Sequence, residues 1–154
     1  MIEYINKNVT TPERGIIAHG CNCQGVMGSG VALAVKNKWP RAFERYVAVC
    51  GMSATKSNLL GLAHIVNVGD ELYVSNMFTQ EKYGRDGKRY ADPQAIEEAL
   101  QDTFAFARST GNLPIYMPRV GCGLGGLKWE RDVEPVVKKL AESFPEINVF
   151  VCDL

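Results

Sequence analysis

The chain has 154 residues, too few for two hydrophobic cores of ordinary size, so a single domain over 1–154 is expected. Lys plus Arg and Asp plus Glu both number 17; this zero formal charge argues against a nucleic-acid partner, which normally demands a basic excess. With 46% hydrophobic and 22% charged residues the balance is that of a folded globule, and the longest apolar run, Tyr46 to Met52, is far short of a membrane span of roughly 18 residues.

Taken in order, the pattern alternates strand and helix. Ile2–Ile5 and Gly15–His19 read as strands around a Thr-Thr-Pro turn. Ser29–Lys38 reads as a helix, and Pro40 opens another, with Phe43, Tyr46, Val47 and Cys50 on one face. Leu62–Val68 and Glu71–Phe78 form a strand pair joined at Gly69-Asp70, and the polar stretch from Thr79 to Ala91 reads as a loop. Asp92-Pro93 is a helix cap, behind which Ile96, Ala99, Leu100, Thr103, Phe104 and Ala107 share a face. Leu113–Met117 is a strand, Trp129–Phe144 a helix and Ile147–Cys152 a last strand; Pro135 must lie in that helix's first turn or kink it. The order implies an α/β fold, a mixed sheet with helices on both faces. No basic and apolar leader follows Met1, so a cytoplasmic location without membrane association is expected. Five cysteines in no regular framework read as free thiols, and with only His19 and His64 beside them no metal site and no cofactor are expected.

Two glycine-rich segments each lie between a strand and a helix: Asn22 to Val31, and Gly121 to Leu127. Glycine lets successive N–H groups turn toward one point, and a helix N-terminus behind them adds positive potential, so phosphate can be held without lysine. Glycines serving only tight turns would have the same spacing. Gly121, Gly123 and Gly126 match G-x-G-x-x-G, but too little chain follows for a dinucleotide fold, and neither segment continues as a Walker loop.

The runs HGCNCQGVMGSGVA (His19 to Ala32) and MPRVGCGLGGLKWE (Met117 to Glu130) resemble the macrodomain family of ADP-ribose-binding α/β modules. The likeness is to the branch of ADP-ribose-1″-phosphate phosphatases and terminal ADP-ribose protein glycohydrolases, which has histidine at the strand end, as His19 is here. The resemblance implies a three-layer α/β/α macrodomain around a central mixed sheet, acting as a monomer on a small molecule, ADP-ribose or ADP-ribose 1″-phosphate. It further implies that Asn8, Val9 and Thr10 meet adenine, with Asn8 in place of the usual aspartate, and that Asn22 meets the distal ribose. Gly25, Val26, Met27, Gly28, Ser29, Gly30 and Val31 would face the diphosphate from one side. Gly121, Cys122, Gly123 and Leu124, with Arg119 ahead of them, would close from the other. The glycohydrolase members use a lysine and an aspartate, whose positions here hold Gln80 and Gly125. Neither can supply a nucleophile or base. The expected activity is therefore a phosphoric monoester hydrolase, removal of the 1″-phosphate; the alternatives are a binding module without turnover and a hydrolase of ADP-ribosyl esters. The double change Gln80→Lys with Gly125→Asp is the sequence-level way to restore the lysine route.

For that reaction His19 is the candidate acid or base, since its ordinary pKa lies near neutrality; the competing reading is a core histidine at a strand end. Asp86 is the candidate to orient water, against a plain turn residue in Arg85-Asp86-Gly87. Arg85, Lys88 and Arg89 form a basic run beside it; His64 reads as structural and Tyr90 as packing.

Overall fold

A computed structural model describes residues 1–153; Leu154 lies outside the described residues. Six strands form one sheet: β1 (Ile2–Asn6), β2 (Gly15–Cys21), β3 (Ala63–Gly69), β4 (Leu72–Phe78), β5 (Ile115–Met117) and β6 (Val149–Asp153). Their spatial order is β1-β6-β5-β2-β4-β3, all neighbours parallel except the antiparallel β3–β4 pair at one edge. The mixed sheet expected from the sequence is therefore present. Four α-helices flank it: α1 (Gly30–Lys38), α2 (Pro40–Met52), α3 (Pro93–Ser109) and α4 (Glu134–Ser143).

The alternation of strand side chains assigns the layers. Ile16, Ala18, Met77, Ile115, Met117, Val149 and Val151 pack with Ile96, Leu100, Phe104 of α3 and Val137, Leu140 of α4. On the opposite face Ile17 and Val74 meet Val35 of α1 and Ala42 of α2. Parallel strands buried on both faces need this cover, and it makes three layers. Ser75 and Thr103, the polar pair inside the larger core, satisfy each other at 2.9 Å, and Thr103 also donates to the Ala99 carbonyl.

Several boundaries differ from the sequence expectation for local reasons. The helix read as Trp129–Phe144 is two pieces: a wide π turn at Trp129–Val133, then α4 with Pro135 in its first turn. A proline there loses no hydrogen bond, because first-turn N–H groups have no intrahelical acceptor. The strand read from Leu113 starts at Ile115, since Pro114 has no N–H for the ladder. A short 3-10 turn at Lys56–Leu59 was not expected. The β3–β4 turn extends to Glu71, whose φ of 51° is left-handed.

All five parallel strands point their C-terminal ends to one rim, so the segments after β1, β2, β4 and β5 converge there. The chain leaves β2 toward β4 on one side and returns to β5 on the other, the switch-point arrangement that opens a crevice at strand ends. The loop before α3 ends at Asp92, whose carboxylate accepts from the Gln94 and Ala95 N–H groups. Asp92→Ala should lower unfolding free energy by about 1 kcal/mol through loss of this cap, read as a lower urea midpoint at constant m-value.

Candidate functional site

The rim encloses a cleft of about 460 Å³ over the ends of β2, β4 and β5. Its floor is Gly20, Cys21 and Asn22; one wall is Val26 and 28–32, the other Pro118 to Gly121 with 123–125. The loop after β4 closes the third side with Thr79, Gln80, Tyr83, Gly84 and Arg85. The two glycine segments thus face each other across one space.

Tyr46 of α2 holds the first wall. Its buried hydroxyl accepts from the N–H groups of Gly25 and Val26, each at 3.1 Å, and lies 2.7 Å from the Asn22 side-chain oxygen, to which it donates. Burial raises this phenol's pKa, so it remains a donor as well as an acceptor. The Asn22 amide donates to the Val26 carbonyl at 2.8 Å, which closes the turn. Beyond it α1 begins without a side-chain cap at Ser29, leaving its first N–H groups open at the cleft wall, where Gly30, Val31 and Ala32 lie.

The opposite wall is tight where the loop folds back and open where it faces the cleft. A Cβ at Gly125 would lie 2.6 Å from the Gly121 carbonyl and at Gly126 2.9 Å from Lys88 and Arg89 backbone; at Gly123 it would meet nothing within 4 Å. The third loop is tied to both walls. The Cys21 carbonyl accepts from Thr79 N–H at 3.1 Å, Cys23 N–H donates to Glu81 at 3.0 Å, and the Gly125 carbonyl accepts from Tyr90 and Ala91.

Ten of the ligand residues expected from the resemblance line the cleft: Asn22, Val26, Gly28, Ser29, Gly30, Val31, Arg119, Gly121, Gly123 and Leu124. Gly25, Met27 and Cys122 support the walls without lining them. Asn8, Val9 and Thr10 share the rim but lie outside the cleft lining. The Asn8 side-chain oxygen is turned onto the N–H and hydroxyl of Thr10, at 2.9 and 2.8 Å, and Val9 is buried against the core.

Both catalytic candidates are corrected. His19 is fully buried between the sheet and α2, outside the cleft lining, with Nε2 2.7 Å from the Asn76 side-chain oxygen. The Asn76 amide donates to the Ala42 carbonyl, so its oxygen is the acceptor facing His19 and Nε2 carries the proton. Burial lowers the His19 pKa to about 4, which keeps the ring neutral at physiological pH. Its core-histidine reading holds. Asp86 is exposed and outside the lining, its carboxylate accepting from the Tyr90 hydroxyl at 2.9 Å and from Lys88 N–H at 3.1 Å. These hydrogen bonds hold its pKa below the usual carboxylate range.

Gln80 and Gly125 both line the cleft. Gln80 donates to the Lys82 carbonyl at 2.7 Å, and no lysine is among the lining residues. The crowding at Gly125 excludes the Gly125→Asp half of the double change, because any Cβ would strike the Gly121 backbone. Tyr90 is a brace for Asp86 rather than a stacking surface. His64 packs by Arg41 and Arg45 in a separate polar hollow of about 150 Å³. Among the described residues no three His, Cys, Asp or Glu side chains converge on a metal-sized point, and no helix is long and apolar enough to cross a membrane. Tyr46 and Tyr83 were missed as site residues; a tyrosine instead of phenylalanine on the buried face of α2 was the available signal, since a buried hydroxyl needs a partner.

An open α/β sheet with facing glycine loops over its parallel strand ends defines a class of anion-binding modules. The Macro domain family model matches residues 18–136, and the chain belongs to that family. An ADP-ribose 1″-phosphate phosphatase of Meyerozyma guilliermondii is 33% identical over 147 residues, covering 80% of this chain and 83% of that protein. A DNA ADP-ribosyl glycohydrolase of Mycobacterium tuberculosis is 27% identical over 154 residues, covering 98% of this chain but 42% of that protein. A solved structure of a protein from Bacteroides thetaiotaomicron superposes with a TM-score of 0.86 at 33% identity, covering all of both chains.

Two outcomes follow from the buried groups. The unfolded chain binds the His19 proton near pH 6.5 while the folded protein refuses it until about pH 4, so stability is complete above 6.5 and declines between those values. At pH 4 the loss is about 3 kcal/mol, and His19→Gln should flatten this part of the curve of Tm against pH. Tyr46→Phe strands the Gly25 and Val26 N–H groups; a loss of about 1–3 kcal/mol and faster hydrogen exchange of those two amides are expected.

Proposed function

We propose that this protein is an ADP-ribose 1″-phosphate phosphatase whose cleft holds the diphosphate between the two glycine loops. The observation that carries the reading is the donor set of the walls. The N–H groups of Gly28, Ser29 and Gly30, and of Gly123 and Leu124 opposite, make no hydrogen bond among the described residues. Unpaired N–H groups converging from two sides, one set at an uncapped helix start, suit a diphosphate in a protein without net charge. The phosphatase of Meyerozyma guilliermondii supports the choice of substrate.

Gln80 and Gly125 make a lysine-based glycohydrolase mechanism inaccessible, because the cleft lining holds neither an amine nor a carboxylate. Phosphomonoester cleavage asks less of the protein. Its transition state is loose, so positioning and charge stabilisation dominate over proton abstraction. In this proposal the backbone donors fix the diphosphate, Asn22 orients the distal ribose, and water attacks the terminal phosphorus in line as its bond to the ribose oxygen breaks; one water proton ends on that oxygen and the other leaves with the released phosphate. A second reading, ADP-ribose binding without turnover, is favoured by one observation: no imidazole or carboxylate lines the cleft.

Incubation with ADP-ribose 1″-phosphate should release inorganic phosphate and leave ADP-ribose; binding without phosphate release establishes the second reading instead. In calorimetry AMP should bind roughly tenfold or more weakly than ADP-ribose, because it lacks the second phosphate that both walls contact. Equal affinities would refute the two-wall arrangement. Gly123→Val should fold with an unchanged Tm, since its Cβ meets nothing within 4 Å, yet lose at least about tenfold in ADP-ribose affinity as the side chain fills the cleft.

A further inference from the structure

The cleft lining carries two charged side chains, Arg119 and Arg85, in very different states. Arg119 is engaged. Its guanidinium makes two hydrogen bonds to Asp153, at 2.8 and 3.1 Å, lies 3.9 Å from Glu130, and packs over the rings of Tyr4 and Trp129. Arg85 has no hydrogen bond, ion pair or aromatic contact among the described residues. One uncommitted guanidinium therefore stands in a cleft whose other charged side chain, Arg119, is already paired.

The loop presenting it is built to hold one posture. Glu81, four residues before Arg85, accepts from the Cys23 N–H and from the Gln24 side chain at 2.9 Å, which ties it to the first wall. On the far side Tyr90 and Ala91 donate to Gly125 on the second wall, and Gln80 bridges to Ala91 across the loop base. Between these ties Gly84 lies flat against Tyr90; a Cβ there would fall 2.3 Å from its hydroxyl. That hydroxyl binds both oxygens of Asp86, and Gly87 turns the chain back with a φ of +79°. Asp86 and its neighbour Lys88 are 3.8 Å apart, so the loop's carboxylate is matched by charges other than Arg85.

We propose that Arg85 forms a subsite for a phosphomonoester dianion at the loop end of the cleft, and that this subsite selects a terminally phosphorylated ADP-ribose over ADP-ribose itself. The inference rests on the phosphatase reading and assigns the residue that reads the substrate's extra group. The chemistry is direct. A diphosphate is served by the glycine walls, but a monoester with a second pKa of about 6 brings up to two further negative charges. A guanidinium offers a planar fork of N–H donors that matches two phosphate oxygens at once. The same subsite accepts either the ester phosphate of the substrate or inorganic phosphate, the product.

Arg85→Gln and Arg85→Lys are the variants, tested against the wild type with three probes: ADP-ribose 1″-phosphate, ADP-ribose and inorganic phosphate. Arg85→Gln should raise KM for the phosphorylated compound (or Kd, if there is no turnover) by about 10- to 100-fold, the range for a charge-assisted contact. Its ADP-ribose Kd should stay within about twofold of wild type, and Arg85→Lys should recover part of the loss as a point charge. Inorganic phosphate should compete with the phosphorylated compound in wild type and not in Arg85→Gln, which separates ester recognition from simple product binding. If both compounds lose affinity equally in Arg85→Gln, or neither does, the subsite is overturned. If wild type binds both compounds equally well, the subsite is overturned while the ADP-ribose reading stands. Failure of wild type to bind either compound overturns both.

Discussion

The cleft depends on hydrogen bonds that carry the β2–β4 pairing beyond the ends of the strands. The Cys21 carbonyl accepts from Thr79 at 3.1 Å and, more distantly, from Gln80 at 3.4 Å, and two residues later Cys23 donates to Glu81. A strand end normally leaves its last polar groups to water; here the neighbouring loop takes them. That continuation forces the first glycine segment and the Thr79–Ala91 segment to run side by side. The Gly125 carbonyl then joins the same loop to the second glycine segment through Tyr90 and Ala91. Three loops from distant parts of the chain become one wall system with backbone as mortar.

Beneath this rim lies a buried polar row that stabilises rather than reacts. His19 and Asn76, both fully buried, are register partners across β2 and β4, and the half-buried His64 follows on β3. Asn76 bonds to His19 with its oxygen and to the Ala42 carbonyl with its amide, locking the helix to the sheet. Such a ring resists protonation because the charge would have neither water nor a counterion. The nearby thiols obey the same physics: burial pushes Cys23 up to about 12, and Cys21 and Cys50 are also raised. These groups are held in un-ionised forms, which suits packing and argues against nucleophilic roles.

A neutral protein that binds an anion must find positive potential somewhere other than its side-chain total. This fold finds it in peptide dipoles: an uncapped helix start on one wall and unpaired glycine N–H groups on the other. The ion pairs that do form, such as Arg14–Glu71 and Lys139–Glu97, lie at the surface and contribute little to stability. The arrangement also makes a single unpaired arginine in the cleft informative, since the other charged groups near it, Arg119, Asp86 and Lys88, are already paired.

Strand and helix order, the mixed sheet and both glycine walls were legible in the residues themselves. Each depends on local rules: apolar periodicity, proline and aspartate at a helix start, glycine where backbone must approach a ligand. Ten of the expected wall residues accordingly line the cleft. The direction of side chains was not legible. His19 lies on a strand where alternation alone decides which face it takes, and it takes the face covered by α2 rather than the rim. Asn8 turns its oxygen onto Thr10, and Asp86 is engaged by Tyr90, because each has a hydrogen-bond partner within four residues whose geometry no spacing rule specifies. Tyr46, 24 residues from Asn22, and Gly125, crowded by Gly121, acquire their roles only from packing. Composition and periodicity determine which segments meet at the rim; which atoms face the ligand is set by contacts between segments far apart in the chain.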